Sequence, residues 1–156
     1  KVKSNIITLE LETLCDIHNL NLVAKNVLFT PKSAQYLKWR YEENPLQDYI
    51  IYATPEFYVA MYVKKHRFFN ELRIVESIGV EETKDHTLLK NYIIKQAFQN
   101  KCWLITLANK NIFSLGIHGS FGPKLTFRPL TNSNLFIQKA LQIRNWGYAI
   151  GDLELF

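Results

Sequence analysis

The run Leu72-Arg73-Ile74-Val75-Glu76-Ser77-Ile78-Gly79-Val80 sets one carboxylate inside an apolar pattern. As a strand it places Leu72, Ile74, Glu76, Ile78 and Val80 on one face, and Arg73, Val75, Ser77 and Gly79 on the other. A carboxylate on a buried face is expensive unless it is paired or protonated. Two chemistries follow. Burial raises its pKa and suits it to act as a general base, or an arginine, Arg73 or Arg40, pairs with it. Arg40 lies between Trp39 and Tyr41. A guanidinium among rings is either a stacked structural group or a clamp on a ligand.

Other polar groups offer less. Gly116, Gly119 and Gly122 are spaced as G-x-x-G-x-x-G, which is neither a dinucleotide fingerprint nor a phosphate loop. The loop reads as a connection needing unusual dihedrals. His118 and Ser120 within it have no acidic partner at a hydrolase spacing. His18, His66, His86 and His118 are scattered, and Cys15 and Cys102 stand far apart, so no metal is expected. The cluster Lys64-Lys65-His66-Arg67 reads as a solvated hairpin turn, with phosphate contact as its functional alternative. No motif of a nucleic-acid-binding module accompanies it, so a nucleic-acid partner is not expected.

These side chains need elements to hold them. Apolar residues Ile6, Leu9, Leu11, Leu14, Ile17 and Leu20 recur at helical spacing. Thr30-Pro31 reads as a cap and first turn of a second helix over residues 31–43, ended by Asn44-Pro45. The period then changes to two. Residues 49–53, 57–63 and 72–80 read as an antiparallel meander, its middle strand apolar on both faces. Residues 88–98 return to helical spacing, and residues 102–108 are an apolar strand. Strand, helix and strand make a βαβ unit, whose two strands are parallel with a right-handed crossover. Residues 109–115 read as a short helix, 125–130 as a strand, 134–142 as a helical segment and 146–150 as the last strand. The predicted fold is α+β, with a mixed sheet and helices on both faces.

The 156 residues suffice for one domain with its own core. Composition is globular, with 47% hydrophobic and 21% charged residues, a net charge of +5 and 13% aromatic residues. The rings fall on strand faces and helix stripes, as core and cleft lining rather than a row of stacking platforms. The wholly apolar run at residues 57–63 is far short of the roughly 20 residues a membrane span needs, and no leader is visible. No membrane partner is expected, and two distant cysteines suit a reducing, cytoplasmic compartment. The chain starts at Lys1 rather than Met, and is expected to be cut from a longer or tandem protein.

Element order and several motifs resemble the GNAT superfamily of acyl-CoA N-acyltransferases. The stretch Tyr36-Leu37-Lys38-Trp39-Arg40-Tyr41-Glu42-Glu43-Asn44-Pro45, the strand around Glu76 and the ending Trp146-Gly147-Tyr148-Ala149-Ile150-Gly151-Asp152 carry the likeness. It covers roughly residues 30–156. The resemblance implies acetyl-CoA or another acyl-CoA bound where strand 72–80 parts from strand 102–108. Backbone groups of Ile78, Gly79 and Val80 would hold the pantetheine arm. Thr83, Lys84, Asp85 and His86 would receive the pyrophosphate at a helix start, with Asn109 a further cofactor contact. Glu76 would deprotonate a small-molecule amine, such as an amino sugar, and Arg40, Tyr52, Tyr58 and His118 would line the acceptor pocket, with Tyr62 beside them. The sequence departs from the family pattern at Asp85-His86-Thr87-Leu88-Leu89, which lacks the usual glycines, and at Phe113, where a tyrosine acid is common. Those departures support a second reading, a non-catalytic GNAT-like module that binds protein or glycan.

Overall fold

A computed structural model describes residues 8–80, 86–108, 112–113, 117 and 134–153. The expected meander and βαβ unit are both present. Strands β2 (Ile50–Ala53), β3 (Tyr58–Lys65) and β4 (Asn70–Ile78) pair antiparallel in succession. Helix α3 (Thr87–Gln99) then crosses to β5 (Cys102–Thr106), which lies parallel to β4. The resulting order is β2-β3-β4-β5.

Helices cover both faces of this mixed sheet. On one side Leu11, Leu14 and Cys15 of α1 (Thr8–Ala24), with Ala34, Leu37 and Tyr41, pack on Tyr58, Ala60, Val75 and Ile78. On the other, Leu89, Ile93 and Ala97 of α3 pack on Val59, Met61, Leu72 and Ile74. Two apolar clusters on one sheet explain why β3 is apolar on both faces. The stripe foreseen for α1 is narrower than expected: Leu9, Ile17 and Leu20 are exposed.

Strand β4 does not keep the strict alternation read from its sequence. Ala60 faces Glu76, but the next residue, Met61, faces Ile74. Val75 is therefore the extra residue of a β-bulge, and side chains after it change face. Leu72 and Ile74 join the α3 side, whereas Val75 and Ile78 join the α1 side. Glu76, opposite Ala60, faces α1 and α2 rather than sharing the face of Leu72 and Ile74. Strand β4 also ends earlier than expected. Gly79 takes φ +75°, and a Cβ there would lie 2.3 Å from the Glu56 carbonyl oxygen, so a close turn replaces the last strand residues.

The second helix is also revised. Helix α2 spans only Ala34–Leu37, capped by Ser33, whose hydroxyl accepts from the Tyr36 N–H. Thr30-Pro31 does not start it, because the Lys32 peptide groups are already engaged. Asn19 donates to the Lys32 carbonyl at 2.8 Å and accepts from its N–H at 3.0 Å. Beyond α2 the chain winds as a π-helix over Lys38–Glu42, its last turn closed by the Glu43 N–H on the Lys38 carbonyl at 2.9 Å.

The C-terminal part departs further from expectation. Helix α4 (Asn134–Ala140) and a 3₁₀ turn (Ile143–Asn145) lead to β6 (Trp146–Gly147). This two-residue strand pairs parallel with β1 (Leu28–Phe29), an element with no sequence signal, in a sheet of its own. Residues 148–150 are not strand, and Ile150–Leu153 is a helical turn, α5. The helix expected over 109–115 and the strand expected over 125–130 fall mainly or wholly outside the described residues.

Candidate functional site

Glu76 is 2% exposed and has company that its own strand does not supply. The Lys32 Nζ lies 2.9 Å from Glu76 Oε2 and 2.5 Å from Asp152 Oδ1, so one buried ammonium bridges two carboxylates. The Tyr41 hydroxyl donates to Glu76 Oε2 at 3.3 Å, and the Ser77 N–H to Oε1 at 3.2 Å. Asp152 in turn accepts from the Ala149 N–H at 2.9 Å through its second oxygen. The Lys32 ammonium also stands 5.2 Å from the centroid of the Tyr36 ring.

Each member is delivered by a local feature of the chain. The Asn19 clamp fixes the backbone of Lys32 ahead of α2. The π-helix sets consecutive residues Arg40 and Tyr41 toward α5. Arg40 Nη2 donates to the Gly151 carbonyl at 2.5 Å. A Cβ at Gly151 would lie 2.2 Å from the Tyr41 hydroxyl oxygen and 3.1 Å from the Val75 carbonyl oxygen, so only glycine lets α5 approach this closely. The bulge at Val75 turns Glu76 to the same side. Thus Arg40-Tyr41 and Gly151-Asp152, far apart in sequence, meet beside Glu76.

Charge balance decides the electrostatics. Burial pushes the Glu76 carboxyl above its usual range; Lys32 opposes this, and Asp152 adds to it. Burial pulls Lys32 down, but Glu76 and Asp152 outweigh that pull and hold it above its ordinary value. The Tyr41 hydroxyl is pushed up by burial and by Glu76, so it remains a donor. The triad therefore keeps a charged lysine and one carboxylate more than that lysine can neutralise.

Beside the triad lies a cavity of about 300 Å³. Its walls are residues 74–77 of β4, Leu107 and Ala108 just past β5, and residues 146–150, with Lys32, Asp152 and His18 at its lining. It sits where β4 and β5 part. Their ladder runs from Asn70↔Cys102 to Arg73↔Thr106 and stops there, while β4 continues to Ile78.

The expected site residues are distributed unevenly around this cavity. Glu76 lines it, and Arg40 braces it through Gly151. The partner of Glu76 is Lys32, not Arg73 or Arg40; Arg73 pairs instead with Glu71 at 2.9 Å. Ile78 and Val80 are fully buried in opposite apolar clusters, and Gly79 packs on Glu56 and Leu14. None of the three is in the lining. Tyr52 faces the α3 side, stacked on Tyr92 at 4.1 Å between centroids, away from Glu76. Tyr58 is fully buried on the Glu76 side, its hydroxyl without a hydrogen-bond partner among the described residues. His86 precedes α3 as its cap residue. Thr83, Lys84, Asp85, Asn109 and His118 lie outside the described residues. Sequence reading missed Lys32, one lysine among many, and did not single out His18. Asp152 was visible as part of the closing Gly-Asp pair, but without a role. No family model, curated protein or solved structure matches the chain.

Proposed function

We propose that the chain is a GNAT-type N-acyltransferase that passes an acyl group from coenzyme A to a small-molecule amine. The observation that carries this reading is the parting of β4 from β5 beyond Arg73 and Thr106, with a carboxylate in the wall of the cavity there. A thioester arm lying along β4 in that opening would bring its carbonyl beside residues 74–77. The amine nitrogen attacks the thioester carbon, a C–N bond forms and the C–S bond breaks. Glu76 takes the proton from nitrogen, and the departing thiolate is reprotonated from the site or from water. A backbone N–H of β4 polarises the carbonyl. Asp152 draws Lys32 from Glu76 and so keeps that carboxylate basic enough to accept the proton.

Titration calorimetry and thermal unfolding with acetyl-CoA test the reading. A ligand that binds only the native state at a hundred times its Kd adds about 2.7 kcal/mol of stability, so both heat and a higher Tm are expected. No heat and no shift at millimolar acetyl-CoA would sink it.

One observation favours a second reading. Glu76 is already held by Lys32, Tyr41 and Ser77, as a structural carboxylate would be. A non-catalytic GNAT-like module that binds protein or glycan would keep that network for its fold alone. If acyl transfer is detected and Glu76→Gln leaves it unchanged, Glu76 is structural.

A further inference from the structure

The end of the sheet where β4 begins has a chemistry of its own. Lys64 and Lys65 end β3, and the turn to β4 carries His66, Arg67, Phe68 and Phe69. The turn between α3 and β5 lies against it. Asn70 pairs with Cys102, and the Asn70 side chain donates to the Asn100 carbonyl at 3.0 Å. Lys101 follows in that turn, its N–H on the Phe98 carbonyl at 3.1 Å.

Three large rings at this end face water. Phe68 is 84% exposed, Phe98 83% and Trp103 87%. Trp103 is exposed for a structural reason: Asn70 faces Cys102 and Glu71 faces Leu104, so Trp103 is the extra residue of a bulge. Around the rings the charge has one sign. Lys65, Arg67, Lys95 and Lys101 are exposed, and residues 57–70 and 86–108 contain no Asp or Glu. Glu71, the nearest carboxylate, is buried under His66, Arg73 and Thr106.

We infer that this end of the sheet docks on the surface of an anionic lipid bilayer. Exposed Phe and Trp suit the boundary between headgroups and acyl chains, and lysine and arginine beside them suit anionic headgroups. The contact is peripheral, since no helix among the described residues is long and apolar enough to cross a membrane. Two observations favour a bilayer over a nucleic acid. The basic residues and Phe68 sit on a hairpin tip rather than along a groove that a strand could follow. Two rings of the tip are also engaged with cations or imidazole of the same turn, Phe68 with Arg67 at 5.1 Å and Phe69 with His66 at 4.5 Å. Docking here leaves the β4–β5 cavity clear, because the cavity lies along the later half of β4.

Vesicle co-sedimentation tests the inference, using phosphatidylcholine alone and phosphatidylcholine with about 30% phosphatidylserine. The intact chain is expected to sediment with the anionic vesicles at about 50 mM salt and to be released at about 500 mM. Replacing Lys64, Lys65 and Arg67 together by Gln is expected to weaken binding by about 100-fold or more, and Phe68→Ser by about 10-fold. These side chains are in the turn or at the end of β3 beside it, and far-UV circular dichroism checks that the variants fold. Equal binding to neutral and anionic vesicles, or variants that bind as the parent does, would overturn the inference. So would binding to a single-stranded oligonucleotide with none to vesicles. A dimer in sedimentation velocity that Phe68→Ser dissolves would assign the face to a second copy instead.

Discussion

Strand β4 carries two glutamates, both 2% exposed, that sit in opposite electrostatic situations. Glu71 accepts from His66 at 2.6 Å, Arg73 at 2.9 Å and Thr106 at 2.5 Å. Burial alone would raise its pKa, but the bonds from Arg73, Thr106 and His66 win and hold it down at about 2. Glu76 must share Lys32 with Asp152, and burial lifts it. Equal surface exposure thus goes with opposite shifts: Glu76 lies deeper and its desolvation outweighs its partners, whereas the bonds to Glu71 outweigh a weaker desolvation. Depth of burial and the second carboxylate on Lys32, not the number of donors, decide which glutamate is a fixed anion and which can exchange a proton.

The largest expected effect comes from removing the shared cation. Lys32→Met leaves Glu76 and Asp152 buried without their ammonium. Breaking a buried pair from one side costs about 3–5 kcal/mol, read as a lower urea midpoint at unchanged slope. The loss should grow as pH rises, because the lone carboxylates must then ionise without Lys32. A Lys32→Met variant within about 1 kcal/mol of the parent would show that the triad is not a coupled unit.

Glu71→Gln comes next, at about 2 kcal/mol near neutral pH, since charge-assisted bonds from partly exposed partners are lost. Its pH dependence has a definite sign. A carboxylate depressed in the fold contributes stability above its unfolded pKa, and that contribution is lost as pH falls toward the folded value. The parent should therefore lose its advantage over Glu71→Gln between about pH 5 and about pH 2. An advantage that persists unchanged to pH 2 would remove Glu71 from the comparison.

The sequence made one half of this comparison legible and hid the other. A run apolar on both faces marked β3, a two-residue period marked β4, helical spacing marked α3, and the apolar run after it marked β5 as a parallel neighbour; all of these are patterns within a few residues. Glu76 stood out because it interrupts such a pattern. Its face was misread because the Val75 bulge adds one residue to a strand, and a bulge at an ordinary valine has no residue signature. Lys32 was hidden because its role depends on Asn19 and Asp152, contacts that cross 13 and 120 positions of sequence. The π-helix was hidden because Lys38–Glu42 reads as any helix would. β1 and β6 are two residues each, below the length at which a period can be seen. Glu71 was passed over for the same kind of reason. Its donors come from a turn, a neighbouring residue and another strand.

The smallest stability effect is expected where the functional effect is largest. Glu76→Gln removes one of two carboxylates from Lys32 and leaves a balanced Lys32–Asp152 pair. The new amide still accepts from Tyr41, but its NH₂ meets the Ser77 N–H or Lys32. The loss should be about 1 kcal/mol near neutral pH, the scale of one hydrogen bond. Its slope should oppose that of Glu71→Gln. A carboxyl raised in the fold contributes less stability as pH climbs above its unfolded value, so the penalty of Glu76→Gln shrinks as pH rises. If Glu76 is the base of an acyl transfer, the same variant should lower kcat by about 10²–10⁴-fold while its Tm hardly moves. It should also remove the acidic limb of the rate profile. If Glu76 only braces α5 against β4, activity should follow stability, and both changes should be small. Parallel pH series of unfolding and turnover on this one variant therefore separate a proton acceptor from a brace.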